Sequence, residues 1–306
     1  TRGVLASGRS EGGSSQTKIN NIQFINIATT GNATDFGDAI DPNSRGGGTM
    51  SSRTRGIITR PSDDATLEFI TIASTGNSAE FGEDDVARDG AVMSNQTRGI
   101  NMSGNSSVNS ISYITIAQLG NAVDFGDVTV GTGHYGNSGL GNQTRGICLS
   151  SRIAPSPSDD GNTMQYITIS TLGNSADFGD LSEPTYASGT AANSTRGLVF
   201  SMRNLGAPAV SNMIDFVTIA TLGNSVRFGE LNRANTPYTN NNGTGVASPT
   251  RAVYCGGYSG SPAPQFTVVN TMEFVQIMTE GNSIDFGDLA QQMKGAAGIS
   301  NGHGGL

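Results

Sequence analysis

In the stretch "FITIA" (Phe69–Ala73), one face of an extended chain carries Phe69, Thr71 and Ala73, and the other carries Ile70 and Ile72. Both sets are largely apolar, which predicts a β-strand covered on both sides rather than a sandwich strand with one wet face. A Gly-Asn pair follows, then a second short strand, so the unit reads as a hairpin. Gly in such a turn supplies positive φ at no steric cost, and Asn tolerates it too.

The hairpin is written six times. Gly-Asn pairs stand at Gly31, Gly76, Gly120, Gly173, Gly223 and Gly281. An aromatic residue always precedes the Gly by seven positions (Phe24, Phe69, Tyr113, Tyr166, Phe216, Phe274). Another always follows the Asn by four (Phe36, Phe81, Phe125, Phe178, Phe228, Phe286), and Gly and an acid come next. A second marker, "TRG", begins at Thr1, Thr54, Thr97, Thr144 and Thr195, with "TRA" at Thr250. The hairpin is constant and the connections are elastic, and the marker recurs every 43 to 55 residues. That range suits propeller blades, which run ~40–50 residues each.

The third repeat illustrates the predicted strands: 89–96, 97–104, 111–118 and 122–128, four antiparallel strands to a blade. The hairpin repeats are centred near 24–38, 69–83, 113–127, 166–180, 216–230 and 274–288. The first repeat opens at its second strand, and "ISNGHGG" (Ile299–Gly305) lines up with "MSNQTRG" (Met93–Gly99). Segment 293–306 therefore reads as the closing strand that completes the first blade, and closure removes two exposed sheet edges. The expected fold is all-β: one closed six-bladed β-propeller over 1–306.

Composition narrows the function. Forty-three Gly residues with only 35% hydrophobic and 14% charged residues suit short strands and many turns. The net charge of −8 disfavours nucleic acid and anionic membrane surfaces as partners. No stretch reaches the ~18 apolar residues of a membrane span. The chain opens at Thr1 without an initiator Met or a signal-peptide pattern, and reads as a processed or partial product. Cys148 and Cys255 read as core residues rather than a disulfide framework.

Candidate chemistry is sparse. Asp38, Glu83, Asp127, Asp180, Glu230 and Asp288 follow the aromatic-Gly pairs. Carboxylates brought around a ring would suit a cation, but no calcium-type loop is visible. The alternative is structural: each meets the "TRG" arginine of its repeat (Arg2, Arg55, Arg98, Arg145, Arg196, Arg251) or caps a turn. Before the second aromatic the repeats carry Asp35, Glu80, Asp124, Asp177 and Asp285, but Arg227 in the fifth. His134 and His303 have no neighbour at metal-ligand spacing and read as loop residues. Tyr135, Tyr186, Tyr238 and Tyr258 in variable segments are possible binding-loop residues for a glycan. The sequons at Asn95, Asn142 and Asn193 precede the "TRG" marker and read as turn chemistry.

A basic residue after the outer strand (Arg88, Arg233, Lys294), a small-residue strand, "TRG" and then the aromatic hairpin resemble a kelch repeat. The chromosome-condensation-regulator type of propeller also has a Gly-containing hairpin ending in an aromatic-Gly pair, and is an alternative repeat family. The wording "TRG…FITIATxGNAxDFGDL" resembles the repeats of structural and fibre proteins of tailed phages, marine ones especially. That resemblance covers all six repeats. It implies a non-enzymatic structural or adhesion module located in a virion, without a cofactor. The implied partners are other virion subunits, with a host-surface glycan or protein beyond them. The alternatives are a subunit of an extracellular or cell-surface filament, and a glycan-binding or glycan-processing propeller.

Overall fold

The computed structural model describes residues 1–10, 17–43, 50–59, 65–84, 90–104, 108–129, 138–149, 161–184, 188–200, 212–232, 242–259 and 267–305. Each hairpin repeat forms an antiparallel sheet, and the six sheets are the blades of a propeller. In the third blade the strands run Ala91–Ser94, Arg98–Gly104, Val108–Thr115 and Val123–Asp127. The third of these stops before residue 118 because the chain already reverses there, with Gln118 N–H donating to the Thr115 carbonyl at 3.0 Å. The Gly-Asn pair lies just beyond this reversal.

The closing strand is present. Ala297–Ser300 pairs antiparallel with Arg2–Arg9, from Gly3 opposite Ser300 to Ala6 opposite Ala297. The other inner strands are Ala91–Ser94, Ser138–Gly141, Gly189–Ala192 and Thr244–Ala247. In the second blade the inner strand shows one bridge among the described residues, Ser51 opposite Gly56. Inner strands crowd the axis. A Cβ on Gly245 would meet the Thr190 carbonyl oxygen of the preceding blade at 2.2 Å, so only Gly permits that approach.

The core lies between blades. One cluster joins Ile147, Met164 and Phe178 of the fourth blade to Val199, Val217 and Ile219 of the fifth. Another joins Val246, Val253 and Met272 of the sixth blade to Leu5, Ile25 and Ile27 of the first, which closes the ring. This explains the two-sided apolar strands, with one correction. Glu68, Ile70 and Ile72 are buried throughout, but on the other face cover fades from buried Leu67 through half-buried Phe69 to exposed Thr71 and Ala73. Cys148 and Cys255 are free, buried strand residues.

Inner and third strands run the same way. Inner-to-second and third-to-outer turns therefore share one face of the disc, here termed the repeated face. Second-to-third and outer-to-inner connections, the ones of unequal length, leave from the opposite loop face.

Candidate functional site

The repeated face is built from contacts that tie each blade to the next. The Gly-Asn tip of one blade docks on the outer strand of the blade before it. Gly76 N–H donates to the Phe36 carbonyl at 2.7 Å and Ser78 N–H to the Asp38 carbonyl at 2.9 Å. The Asn77 Oδ1 accepts the Asp38 N–H at 3.0 Å. The same set recurs at every junction, including sixth to first, where Gly31 N–H meets the Phe286 carbonyl and Asn32 Oδ1 the Asp288 N–H. The motif thus differs from the expected turn chemistry in one respect. Its Gly does take positive φ (154° at Gly31), but its Asn serves as an acceptor for the neighbouring blade. The Gly after the second aromatic has the complementary role. A Cβ on Gly37 would meet the Gly76 carbonyl at 2.5 Å.

The "TRG" arginines do not meet the acids that follow the aromatic-Gly pairs. Each guanidinium lies over the first aromatic of its own blade, from 4.2 Å (Arg196 on Phe216) to 4.7 Å (Arg98 on Tyr113). Its Nη1 donates to an Ile carbonyl of the next blade: Arg2 to Ile72, Arg55 to Ile116, Arg98 to Ile169, Arg145 to Ile219, Arg196 to Ile277 and Arg251 to Ile27. A guanidinium over a ring face keeps its edge N–H donors free, and here one of them reaches across the interface. Asp38, Glu83, Asp127, Asp180, Glu230 and Asp288 lie on the outer strands, exposed or half-exposed. Their backbone groups make the junction bonds, and Glu230 pairs with Arg227 at 2.9 Å. The turn reading of the sequons holds. Asn95 Oδ1 accepts the Thr97 and Arg98 N–H groups, and its Nδ2 donates to the Gln143 carbonyl of the next blade at 3.2 Å.

A polar residue precedes the first aromatic in every repeat and is buried: Gln23, Glu68, Ser112, Gln165, Asp215 and Glu273. The pattern is legible in the sequence but easily lost among apolar neighbours. In four blades this residue accepts the hydroxyl of the Ser after the Gly-Asn pair, as Asp215 accepts Ser225 Oγ at 2.6 Å. That Ser in turn accepts a backbone N–H from the preceding blade. In the first blade Ala33 replaces the Ser, and Gln23 accepts the Ala290 N–H directly at 2.6 Å. In the third, Ala122 replaces it and Asp84 of the second blade supplies the carboxylate, accepting Ser112 Oγ at 2.9 Å and Asn101 Nδ2 at 2.8 Å. A buried carboxylate needs such donors.

His303 departs from the expectation of a loop residue. It is 5% exposed, in a 3₁₀ turn (His303–Gly305) at the axial end of the repeated face. Its Nδ1 lies 3.0 Å from the Ser300 carbonyl and 3.2 Å from Ser51 Oγ, and its Nε2 lies 3.1 Å from Ser94 Oγ. The carbonyl only accepts, so Nδ1 carries the proton. Burial pushes the imidazole pKa below its usual 6.5, against a smaller upward pull from its hydrogen bonds. Among the described residues no carboxylate is bonded to these serines, and the ring is enclosed. The arrangement holds inner strands of three blades together and is not a nucleophilic triad.

On the loop face Tyr258 begins a short ribbon, Tyr258–Ser259 paired with Thr267–Val268. The buried Lys294 ammonium lies 3.8 Å from its ring centroid. Tyr135, Tyr186, Tyr238, His134, Arg88 and Arg233 lie outside the described residues. A shallow groove of about 360 Å³ on the repeated face is lined by Arg2, Phe24, Ala73 and Asn301, among others. Its cation is already engaged with Phe24 and the Ile72 carbonyl. Among the described residues no group of three or more His, Cys, Asp or Glu side chains is placed to hold a metal ion. No protein-family model matches the chain, and no curated protein matches it.

Proposed function

We propose that the chain is a non-enzymatic structural or adhesion module of a phage virion, with kelch-like blades that present variable loops to neighbouring subunits or a host surface. One observation carries this reading: all connections of unequal length leave a single face of a ring whose other face is built from repeated turns. Binding residues concentrate on loops held by a rigid scaffold. The buried polar groups of the repeats are spent on blade-to-blade contacts, which suits a stiff spacer rather than a reaction centre. The phage assignment itself rests on the wording of the repeats.

Immuno-electron microscopy of particles, with antibody against the isolated chain, tests the reading. Label on the outside of the virion is the expected result. Label confined to cell surfaces or free filaments overturns it in favour of a filament subunit. A screen for glycan hydrolysis is expected to show no turnover, and any turnover would return the glycan-processing reading.

A further inference from the structure

The six hairpins are near copies, so a property confined to some of them calls for its own explanation. Among the described residues, exposed large apolar side chains occur on the hairpins of blades three to six, Leu119, Val123, Leu172, Leu222, Val226, Met278 and Ile284, each 53–61% exposed; the one other, Ile40, lies past the first hairpin toward the loop face. Before the Gly-Asn pair, blades three to five carry Leu where blades one and two carry Thr30 and Thr75. At the start of the outer strand, Val123, Val226 and Ile284 replace Thr34 and Ala79. Met278 stands where the other repeats have Ala or Ser.

Blade-to-blade docking sets each of these turns alongside the outer strand of the blade before it. Gly173 N–H bonds to the Phe125 carbonyl at 2.9 Å, which lays the Leu172 turn against the strand that starts at Val123. Gly281 N–H bonds to the Phe228 carbonyl at 3.0 Å and does the same for the Met278 turn and the strand of Val226. The result is an apolar arc over four of six blades, on the face opposite the loops. Large apolar side chains exposed together on one face are a feature of interaction sites.

Charge selects the occupant. Asp124, Asp177 and Asp285 stand exposed on the same strands, one residue beyond Val123, Ala176 and Ile284. The one cation in that series, Arg227, is paired with Glu230 at 2.9 Å. Two such arcs from two copies would oppose acid to acid, and an anionic lipid surface would be repelled likewise. We propose that the arc docks a partner protein whose contact surface interleaves apolar side chains with Lys or Arg. The disc would then anchor by this arc and leave its loop face free.

The test uses the full chain and a labelled synthetic peptide of alternating Leu and Lys, read by fluorescence anisotropy. The variant Leu172→Thr/Leu222→Thr/Val226→Thr installs the kind of residue found in blades one and two. These side chains are exposed, so the melting temperature is expected to stay constant. Wild type is expected to bind the peptide about tenfold or more tightly than the variant, a loss of about 1.4 kcal/mol. Binding should weaken with salt. Peptides alternating Leu with Glu, or Ser with Lys, should bind wild type more weakly. Equal affinity of wild type and variant overturns the proposal. So does a Leu-Glu or Ser-Lys peptide binding as well as the Leu-Lys one. Concentration-dependent sedimentation of wild type that the variant abolishes would overturn it by identifying a second copy as the occupant. None of these outcomes bears on virion location.

Discussion

The side-chain oxygen of Asn301 accepts the backbone N–H of Arg2 at 2.9 Å. It reproduces, between the two ends of the chain, the bond that Asn95, Asn142 and Asn193 make to the arginine three residues ahead. The sixth turn of the ring therefore has the same chemistry as its covalent counterparts. We predict that Asn301→Ala lowers stability by about 1 kcal/mol, comparable with loss of a helix cap. Removal of Met293–Leu306 should cost far more, because it strips one edge of the first blade and uncovers the Leu5 and Ile299 clusters. Urea titration of the two forms checks both; unchanged stability in the truncated chain would refute closure.

His303 sets the expected acid response. Its folded pKa lies below its usual 6.5 because burial opposes charge, so below 6.5 the unfolded chain binds more protons than the folded one. Stability conferred by the neutral ring is full above 6.5, declines as pH falls toward the folded value and is constant below that. The charged groups near the ring among the described residues are Arg53, two residues from Ser51, and the Thr1 terminus, whose side chain packs against Gly302. Ser94 Oγ lies within hydrogen-bond reach of both Nε2, at 3.1 Å, and the Ser51 carbonyl, at 2.9 Å. His303→Gln should flatten the pH dependence of the unfolding free energy in this window. An equally steep profile in the variant would assign the effect to other groups.

Glycines of the hairpin differ in what they tolerate. Gly31 has open space around its Cβ position but a φ of 154°, so Gly31→Ala should cost about 1 kcal/mol through backbone conformation alone. Gly37 adds a 2.5 Å approach of the Gly76 carbonyl. Gly37→Ala should cost about 2–3 kcal/mol, since the docked tip must move. Thermal melts of the two variants rank them; equal losses would mean that the tip yields freely.

Arg145 stacks on Tyr166 at 4.4 Å and donates to the Ile219 carbonyl at 2.8 Å. Arg145→Ala should cost about 1–3 kcal/mol, and Arg145→Lys should restore less than half, because an ammonium lacks the flat fork that does both jobs. A double-mutant cycle with Tyr166→Leu separates the stacking part.

The blade count, the closing strand and the buried cysteines were legible because each depends on spacing within one repeat or on a plain match between ends. Junction chemistry was not. Arg2 and Ile72, or Asn77 and Asp38, belong to different repeats, and strict periodicity cannot tell an own-blade partner from the equivalent residue one blade on. The arginine pairing, offered beside turn capping for the acids, is not seen: each arginine lies over the aromatic of its own blade and bonds a carbonyl of the next, as Arg2 does with Phe24 and Ile72. His303 was misread because its serine partners lie in other blades, at Ser51 and Ser94. The buried polar position was visible in all six repeats, at the residue before the first aromatic. Its meaning appeared only where the Ser is missing: Gln23 bonds the neighbouring blade directly beside Ala33, and Asp84 serves Ser112 beside Ala122.

Pairing of Gly3 with Ser300 joins residues almost a full chain length apart. Contacts of such sequence separation form late, because the loop they close is long and its closure entropy must be met first. During synthesis the Arg2–Arg9 strand has its hairpin partner early but keeps one ladder edge unsatisfied until Ala297–Ser300 leaves the ribosome. For that interval the nascent protein is an open arc with a sticky end, and its safest route to the finished ring is fast synthesis or a chaperone that shields the first blade.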